Sequence, residues 1–302
     1  MNIVFMGTPD FAAVSLKKLI KDGRHNITGV ITQPDKPRGR KSELVMPEVK
    51  KLALEHGLSV YQPVKVRNAE FVELIKGLNP DLIVVVAYGR ILIKEVLDIP
   101  RFGCINVHAS LLPQLRGCAP IQWAIYNGDK TTGVTIQRMN EGVDTGDILS
   151  VNTLDIDYND TGESLFDKLA VLGADTLIET IGSIEDGTVK PVSQDEEKAT
   201  YAPMISKDDG LIDFNRSAVM IRNQVRAFNP WPSAYTHLNG KMLKVWECDI
   251  IEDDDMDSQI GELIMREDGV YVKTGDGVLR ITRLQLEGKK SMSAQEFVRG
   301  YR

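Results

Sequence analysis

The sequence is poor in the features that mark secreted, zinc-binding and membrane proteins. Its 302 residues hold 3 cysteines and no Cys-x-x-Cys pair, so we expect neither a disulfide framework nor a cysteine-ligated zinc site. No apolar run approaches the roughly 20 residues that cross a bilayer. The first residues, MNIVFMGTPDF, break at Gly-Thr-Pro-Asp before the apolar core of a signal peptide could form. We therefore expect a cytoplasmic protein whose thiols are free.

Basic residues are outnumbered by acidic ones, 36 against 43, and the net charge is −7. Non-specific affinity for nucleic acid comes from neutralising many phosphates at once, so a nucleic-acid partner would need a local basic patch. The candidate patches are the segment DKPRGRK, with Lys36, Arg38, Arg40 and Lys41, the pair Arg222 and Arg226, and a tail with Lys289, Lys290, Arg299 and Arg302. Each of them is equally typical of a solvated surface.

Motifs of two common enzyme classes are missing. The turn MGTPDFA follows a predicted strand and opens a predicted helix, but it has one glycine where the dinucleotide motif GxGxxG has three. The helix start after this turn could still line a pocket. The serine nucleophile motif GxSxG is absent, which argues against a hydrolase. Any nucleophile is therefore expected to arrive with the substrate.

The first half of the chain alternates short apolar runs with helical patterns, which is typical of a parallel α/β sheet. The predicted strands are NIVFMG, NITGVITQ, SVYQP, PDLIVVVAYG and FGCINVH. The predicted helices between them are DFAAVSLKKLIKDG, MPEVKKLALEHG and AEFVELIKGL. We expect a doubly wound, mostly parallel sheet that resembles a Rossmann fold.

The second half changes character after a polar connector, VSQDEEKATYAPMISKDDG. From about Leu211 one helix is followed by strand-like pieces, with hairpin signals at Asn239-Gly240 and Asp276-Gly277. This pattern predicts a small antiparallel β-domain, which we interpret as a barrel. The expected division is an α/β domain at 1–188, a linker at 189–206 and the β-barrel at 207–302.

The stretch INVHASLLPQLRG carries two polar residues at the end of a predicted central strand. Ligands of doubly wound sheets bind at the carboxyl ends of the strands. Because side chains alternate along a strand, Asn106 and His108 are expected on one face and Val107 on the other. An amide donor and an imidazole would then stand together beside a cleft. The alternative is a strand-end histidine that is merely hydrogen-bonded to the backbone.

A third polar group is predicted from the turn NEGVDTGDIL, which holds Glu141, Asp144 and Asp147. Turn aspartates commonly bond their own backbone. One that reaches His108 would instead stabilise the imidazolium, as the acid of a triad does. Arg116, in LLPQLRG, could face an external anion or a neighbouring carboxylate, and spacing does not separate the two.

Several segments, in order and spacing, resemble the methionyl-tRNA formyltransferases, a family of folate-dependent formyltransferases. They are MGTPDFA, QPDKPRGR, VVVAYGRIL, INVHASLLPQLRG, APIQWAI, DTGDIL, YAPMISK and AFNPWPSAYT. The resemblance covers nearly the whole chain. It implies a metal-free monomer that transfers a formyl group from 10-formyltetrahydrofolate to the α-amino group of methionine on initiator tRNA. The first domain would then be the formyltransferase catalytic domain, and the C-terminal barrel, similar to an OB-fold, would bind tRNA.

The same resemblance assigns roles to residues. It implies catalysis by Asn106, His108 and Asp144. It implies that folate lies in a slot formed by two loops, at Tyr88, Gly89, Arg90, Ile91 and Leu92 and at Ser110, Leu111, Leu112 and Pro113. It implies that the acceptor end of the tRNA is contacted by a basic loop, at Lys36, Arg38, Arg40 and Lys41.

Two other functions stay open at this point. A folate-dependent formyltransferase acting on an amino sugar nucleotide or another small amine would keep the central block and lose the need for a basic C-terminal domain. A non-catalytic tRNA-binding or nucleotide-binding module would tolerate His108→Ala. The chain also departs from the family pattern at Gln114, Leu115 and Met204, which thins the basic surface and leaves the three implied catalytic residues intact.

Overall fold

A computed structural model describes residues 1–38, 43–251 and 256–300 of the chain. None of the helices in these ranges combines the length and the apolar character that a bilayer crossing requires. The chain forms two compact units. The first comprises Met1–Gly117, Thr131–Asp155 and Phe166–Tyr201, and the second comprises Cys118–Lys130, Ile156–Leu165 and Ala202–Arg302.

The elements up to residue 185 are strands, singly or in short groups, separated by helices. In chain order they are β1 Asn2–Gly7, α1 Asp10–Asp22, β2 Asn26–Ile31, β3 Lys36–Arg38, β4 Glu43–Val45, α2 Glu48–Glu55, β5 Val60–Tyr61, α3 Ala69–Leu78, β6 Leu82–Val86, α4 Lys94–Leu97, β7 Cys104–His108, β8 Arg116–Gly117, α5 Pro120–Asn127, β9 Thr131–Arg138, β10 Ile148–Asp155 and α6 Gly162–Glu185. Helix α1 ends where the sequence predicts, because Gly23 adopts the left-handed conformation with φ 69°.

The first unit is built on a seven-stranded sheet in the order β10-β9-β7-β6-β1-β2-β5. The five strands from β7 to β5 are parallel, whereas β9 and β10 extend the sheet antiparallel. The mostly parallel α/β fold is therefore confirmed. Every residue of β6 is buried, as expected for a central strand covered on both faces. The strand order reverses between β1 and β6, and this is the place where such sheets bind ligands.

The remaining elements belong mainly to the second unit. They are β11 Tyr201–Ala202, α7 Ala218–Ala227, β12 Ala234–Leu238, β13 Lys241–Ile251, β14 Leu263–Arg266, β15 Gly269–Lys273, β16 Val278–Leu286, β17 Met292–Ser293 and α8 Ala294–Gly300, with 3-10 turns at Glu196–Lys198 and Asp208–Gly210. The main sheet of this unit has the order β12-β13-β16-β15-β14, with β17 on β16, and all its pairs are antiparallel. Ile221 and Val225 of α7 share its core with the inner face of the sheet.

The predicted hairpin at Asn239-Gly240 is confirmed between β12 and β13. Both residues have positive φ, 49° and 76°, as a two-residue turn of this type requires. The separate antiparallel C-terminal domain is confirmed as well. Its closure into a barrel stays a prediction, since no strand ladder joins β12 to β14 within the residues that the structure describes.

Two segments that precede residue 188 in sequence pack in the second unit. Helix α5 contacts α7 there, and the ring of Tyr126 stacks on that of Phe228 with centroids 5.4 Å apart. Residues 156–165 join the same unit. Apolar and aromatic contacts over a long sequence separation decide this grouping, and the sequence pattern of α5 does not reveal them. The division at residues 188 and 207 stays a prediction.

Candidate active site

Strand β7 places Asn106 and His108 at the carboxyl edge of the first unit's sheet. The residues are two positions apart and so share a face. Nδ2 of Asn106 donates to the carbonyl of Val85 on the neighbouring strand at 3.2 Å. This bond uses one amide proton and fixes the side chain. Among the described residues, no hydrogen bond takes the second amide proton.

His108 is held at both ring nitrogens and is only 6% exposed. Nε2 lies 2.9 Å from the carbonyl oxygen of Leu115, and Nδ1 lies 3.5 Å from Oδ2 of Asp144. A neutral imidazole can donate to only one of these acceptors, whereas an imidazolium donates to both. The backbone-bonded histidine and the acid-paired histidine, which are alternatives from sequence, occur together.

Asp144 is the acid that the structure brings to His108. Its backbone is left-handed, with φ 55°, a conformation that aspartate tolerates better than most residues. Oδ2 accepts from the N–H of Gly117 at 2.8 Å, and Oδ1 accepts from Nε2 of Gln137 at 2.7 Å. The carboxylate is therefore held by two donors while it faces the imidazole.

Gln137 is a site residue that the sequence analysis missed. It lies on β9 directly opposite Asn106 and is 2% exposed. Besides Asp144, its Nε2 approaches Oδ1 of Asn106 at 3.4 Å. The amide thus connects two of the three predicted catalytic residues. Gln137 lies in a segment that the sequence identifies as a strand, but its position opposite Asn106 depends on how β9 pairs with β7. The sequence does not reveal that pairing.

The other two acids of the turn do not join the site. Glu141 is exposed. Oδ1 of Asp147 accepts from Oγ of Ser193 at 3.0 Å. Within the described ranges, neither forms an ion pair with His108. Asp144 is therefore the acid that reaches the imidazole, which the spacing of the turn had left open beside the alternative of aspartates that bond their own backbone.

Arg116 binds a carboxylate of its own chain. Its side chain is fully buried and donates to both carboxylate oxygens of Glu196, at 2.9 and 2.8 Å. Nε and Nη2 also donate to Oε1 of Gln194, at 3.0 and 2.8 Å. The guanidinium holds the pKa of Glu196 below its ordinary value. This resolves the alternative left open by the sequence in favour of the internal partner.

Two cavities in the first unit lie apart from these groups. One of about 480 Å³ is lined by Cys104 and Arg138 among others. Another of about 440 Å³ is lined by Thr8, Asp10 and Gln33, so the MGTPDFA turn does border a pocket. Neither lining includes Asn106, His108 or Asp144. Within the described ranges, no cluster of three histidine, cysteine or acidic residues could hold a metal ion.

Comparisons with known proteins decide the family. The family model described as formyl transferase matches residues 1–181, and the model of the formyl transferase C-terminal domain matches residues 204–302. The chain belongs to the formyl transferase family. A curated relative from Agathobacter rectalis, named methionyl-tRNA formyltransferase, is 50% identical over 99% of this chain and 96% of its own.

Solved structures share the fold of this formyl transferase. WlaRD, described as a sugar 3N-formyl transferase in the presence of dTDP and 5-N-formyl-THF, has a TM-score of 0.69 and 21% identity, over 96% of this chain and 99% of that one. HypX from Aquifex aeolicus in complex with tetrahydrofolic acid has a TM-score of 0.63 and 18% identity, over 98% of this chain and 46% of its own. At these identities the likeness shows the fold.

The first predicted folate loop of the formyl transferase directly follows β6. Tyr88 and Leu92 are buried in the core, and burial raises the pKa of Tyr88 to about 12. Gly89, Arg90 and Ile91 are exposed. Nε2 of Gln33 donates to the carbonyl of Tyr88 at 2.8 Å. Within the described chain, the backbone groups of residues 89–92 form no hydrogen bond with other backbone groups.

The second predicted folate loop directly follows β7. Ser110 and Leu112 are buried, whereas Leu111 and Pro113 are partly exposed. Oγ1 of Thr135 donates to the carbonyl of Ser110 at 2.7 Å and accepts from the N–H of Leu112 at 3.1 Å. Two hydrogen bonds to the Thr135 side chain on β9 thus hold this loop beside His108.

The predicted tRNA-binding residues are described only in part. Lys36 lies exposed on β3, and the backbone of Arg38 ends that strand. Arg40 and Lys41 lie outside the described residues. Of the other basic candidates, Lys289, Lys290 and Arg299 are exposed, and Arg302 lies outside the described residues. Arg222 and Arg226 form the pair that differs most from expectation, because they bind the protein's own 157–160 turn.

Proposed function

We propose that this formyl transferase moves the formyl group of 10-formyltetrahydrofolate to the α-amino group of methionine on initiator tRNA. The observation that carries the proposal is the 50% identity, over nearly the full chain, to a methionyl-tRNA formyltransferase. The models of both family domains match the chain, which supports an enzyme built from these two domains. The arrangement of Asn106, His108 and Asp144 is compatible with the chemistry.

Asn106 and His108 are proposed to stabilise the charge that develops during transfer. The amine attacks the formyl carbon, so a new C–N bond forms and negative charge collects on the formyl oxygen. Preorganised donors aimed at that oxygen are worth most, because they need not reorient. Asn106 is fixed through Val85 and keeps one amide proton for this purpose.

His108 and Asp144 are proposed to act as a pair in proton movement. The attacking amine must lose a proton, and the departing nitrogen of the donor must gain one when the old C–N bond breaks. An imidazole held between Leu115 and Asp144 can carry charge or pass a proton, directly or through water. Asp144 keeps its orientation through Gly117 and Gln137.

The loop at residues 88–92 is proposed to hold the pterin through its backbone. Exposed backbone donors and acceptors suit a planar heterocycle with alternating polar edges. The buried side chains of Tyr88 and Leu92 would fix the loop rather than touch the ligand. The loop at 110–113 would close the same slot.

The tRNA is proposed to contact the basic segment at Lys36, Arg38, Arg40 and Lys41 and the C-terminal domain. With a net charge of −7, binding should depend on few phosphate contacts and so vary moderately with salt. We place the catalytic domain at 1–188, the linker at 189–206 and the tRNA-binding barrel at 207–302. The enzyme is proposed to act as a cytoplasmic monomer without a metal.

A transfer assay tests the proposal. The purified chain is mixed with 10-formyltetrahydrofolate and methionyl initiator tRNA, and formylmethionine released from the tRNA is measured by mass spectrometry. A parallel reaction offers a nucleotide-linked amino sugar as acceptor. We expect formylation of the charged tRNA and none of the sugar.

The reverse outcome would replace the proposal with the small-amine formyltransferase. Gel-shift measurements at increasing salt with charged and uncharged tRNA provide a second check, because phosphate contacts make binding weaken as salt rises. Transfer activity retained by His108→Ala would contradict the assigned chemistry.

A further inference from the structure

The buried Arg116 and the partly exposed Gln194 form a hydrogen-bonded link to the acid of the proposed site. We infer that Gln194, held in place by Arg116, is a positioning residue that sets the carboxylate of Asp144 against His108. The catalytic part of this inference rests on the proposed function. The contacts themselves are independent of it.

The short segment from Leu115 to Gly117 contacts both His108 and Asp144. The carbonyl oxygen of Leu115 lies 2.9 Å from Nε2 of His108, and the N–H of Gly117 donates to Oδ2 of Asp144. One strand segment therefore touches both members of the pair. A displacement of this segment would change their separation, which is 3.5 Å.

Arg116 anchors that segment through its side chain and its backbone. Arg116 stands between the two contacting residues, and its fully buried side chain ends on Gln194 and Glu196. Its backbone N–H also donates to the carbonyl of Thr200 at 2.9 Å. A guanidinium is planar and presents a rigid fork of donors, so these partners fix its direction. The segment is thus tied to residues 194–200.

Gln194 connects Arg116 to the turn that carries Asp144. Nε2 of Gln194 donates to the backbone carbonyl of Asp144 at 2.8 Å and to that of Gly146 at 2.7 Å. These bonds hold the carbonyl of the left-handed Asp144 and that of the second residue after it, and the conformation of Asp144 has to be held by its surroundings. Gln194 accepts from Arg116 with one end of its amide and donates to the Asp144 turn with the other. Arg116 thus reaches Asp144 both through Gly117 and through Gln194.

The substitution Gln194→Glu separates this role from simple packing. The carboxylate keeps the volume of the side chain and the acceptor for Arg116. It loses the N–H donors and sets an oxygen against the carbonyls of Asp144 and Gly146. Glu197→Gln is the matched control, because Glu197 is exposed in the 3-10 turn that begins two residues after Gln194. Gln194→Ala removes the donors without adding charge and serves if Gln194→Glu does not fold.

The first readout needs no substrate. The amide proton of Gly117 reports its bond to Asp144, and its chemical shift is measured by NMR in the free protein. We expect Gln194→Glu and Gln194→Ala to move this resonance in the direction that Asp144→Asn moves it. Glu197→Gln should leave it in place. An unmoved Gly117 resonance in both Gln194 variants would overturn the inference, whatever the enzyme's substrates are.

The second readout is turnover. We expect kcat of Gln194→Glu to fall about tenfold to a hundredfold, with smaller changes in KM for either substrate, because misplacing a group by about 1 Å can cost about a hundredfold. In an Asp144→Asn background the same change should cost less than about twofold, since residues acting as a unit are not additive. If the losses of kcat caused by the Gln194 and Asp144 substitutions multiply, Gln194 acts independently of Asp144 and the inference is wrong.

A failed proposed function is recognisable in the same experiment. Wild-type protein that transfers no formyl group to methionyl-tRNA would contradict the proposed substrate, while the Gly117 resonance would still decide whether Gln194 positions Asp144.

Discussion

Both units of the molecule bury arginine, and the two sites differ in where their contacts end. Arg116 in the first unit leads through Gln194 to Asp144. Arg222 in the second unit is 5% exposed, lies 3.6 Å from the ring centroid of Tyr158, and donates to the carbonyl of Tyr158 and to Oδ1 of Asn159. Two arginines that are both buried can therefore have different roles in the protein.

The difference lies in the receiving segment. The turn reached by Arg116 carries a carboxylate that faces an imidazole. The turn at 157–160, which Arg222 and Arg226 hold, packs within its own unit. Burial lowers the pKa of Arg226, so the charged form of this guanidinium depends on its oxygen acceptors. We expect variants of the first arginine to affect turnover and variants of the second to affect stability.

The largest effect is expected at His108, which faces the carboxylate that Arg116 and Gln194 hold. His108→Ala should lower kcat by at least about a hundredfold, because it removes a charge-stabilising and proton-transferring group. Steady-state formyl transfer measures this. His56→Ala, at the exposed end of α2, is the matched control and should retain activity. Comparable losses in both variants would point to folding instead of chemistry.

Arg222→Met tests the second site. It should lower the free energy of unfolding by about 1–3 kcal/mol, since the 157–160 turn loses the hydrogen bonds and the packing of a buried guanidinium. Urea denaturation measures the change, and kcat of the folded fraction should stay within about twofold. The control is Arg266→Met, because Arg266 also lies over an aromatic ring but is exposed. A large fall in kcat with unchanged stability would reverse the assignment of roles.

Lysine substitutions sharpen the comparison at constant charge. Arg116→Lys should lower kcat about fivefold to tenfold, because an ammonium cannot hold Gln194 and Glu196 in one fixed plane. Arg222→Lys should instead shift the unfolding midpoint and leave kcat nearly unchanged. Parallel kinetic and denaturation measurements on the two variants check this. Identical behaviour of the pair would remove the distinction drawn here between the two regions.

The smallest effect is expected from pH. Because Arg116 lowers the pKa of Glu196, the folded state stabilises the ionised carboxylate, and this contribution is present above its ordinary pKa of 4.5. It is lost as pH falls below 4.5 through the lowered folded-state pKa. Glu196→Gln should therefore lower the free energy of unfolding at pH 7, and the deficit should disappear in acid. A deficit that is constant down to pH 3 would contradict the ion pair.

Much of the fold follows from local patterns. The continuous apolar run at residues 82–86 predicts a buried central strand, and it is one. Asn239-Gly240 predicts a hairpin because few other pairs tolerate two positive φ values, and the hairpin is there. Alternation likewise places Asn106 and His108 on one face of β7. These features depend on a few neighbouring residues, so the sequence carries them.

Features that depend on long-range pairing were not predictable in the same way. Gln137 enters the site through the register of β9 against β7. Gln194 enters from a segment that looks like a polar connector, nearly 80 residues beyond Arg116. The grouping of α5 with the C-terminal unit rests on contacts with α7. No local period or turn signal encodes contacts of this range.

The sequence by itself determined the α/β class, the antiparallel C-terminal domain, the family and the residue types available at the edge of the sheet. Only the tertiary structure decided that the carboxylate of Asp144 faces His108, and that Arg116 binds residues of its own chain. The physical reason is that a side chain's partner depends on the path of the whole chain. Local sequence limits what Arg116 can bind, and the fold determines that it binds Gln194 and Glu196.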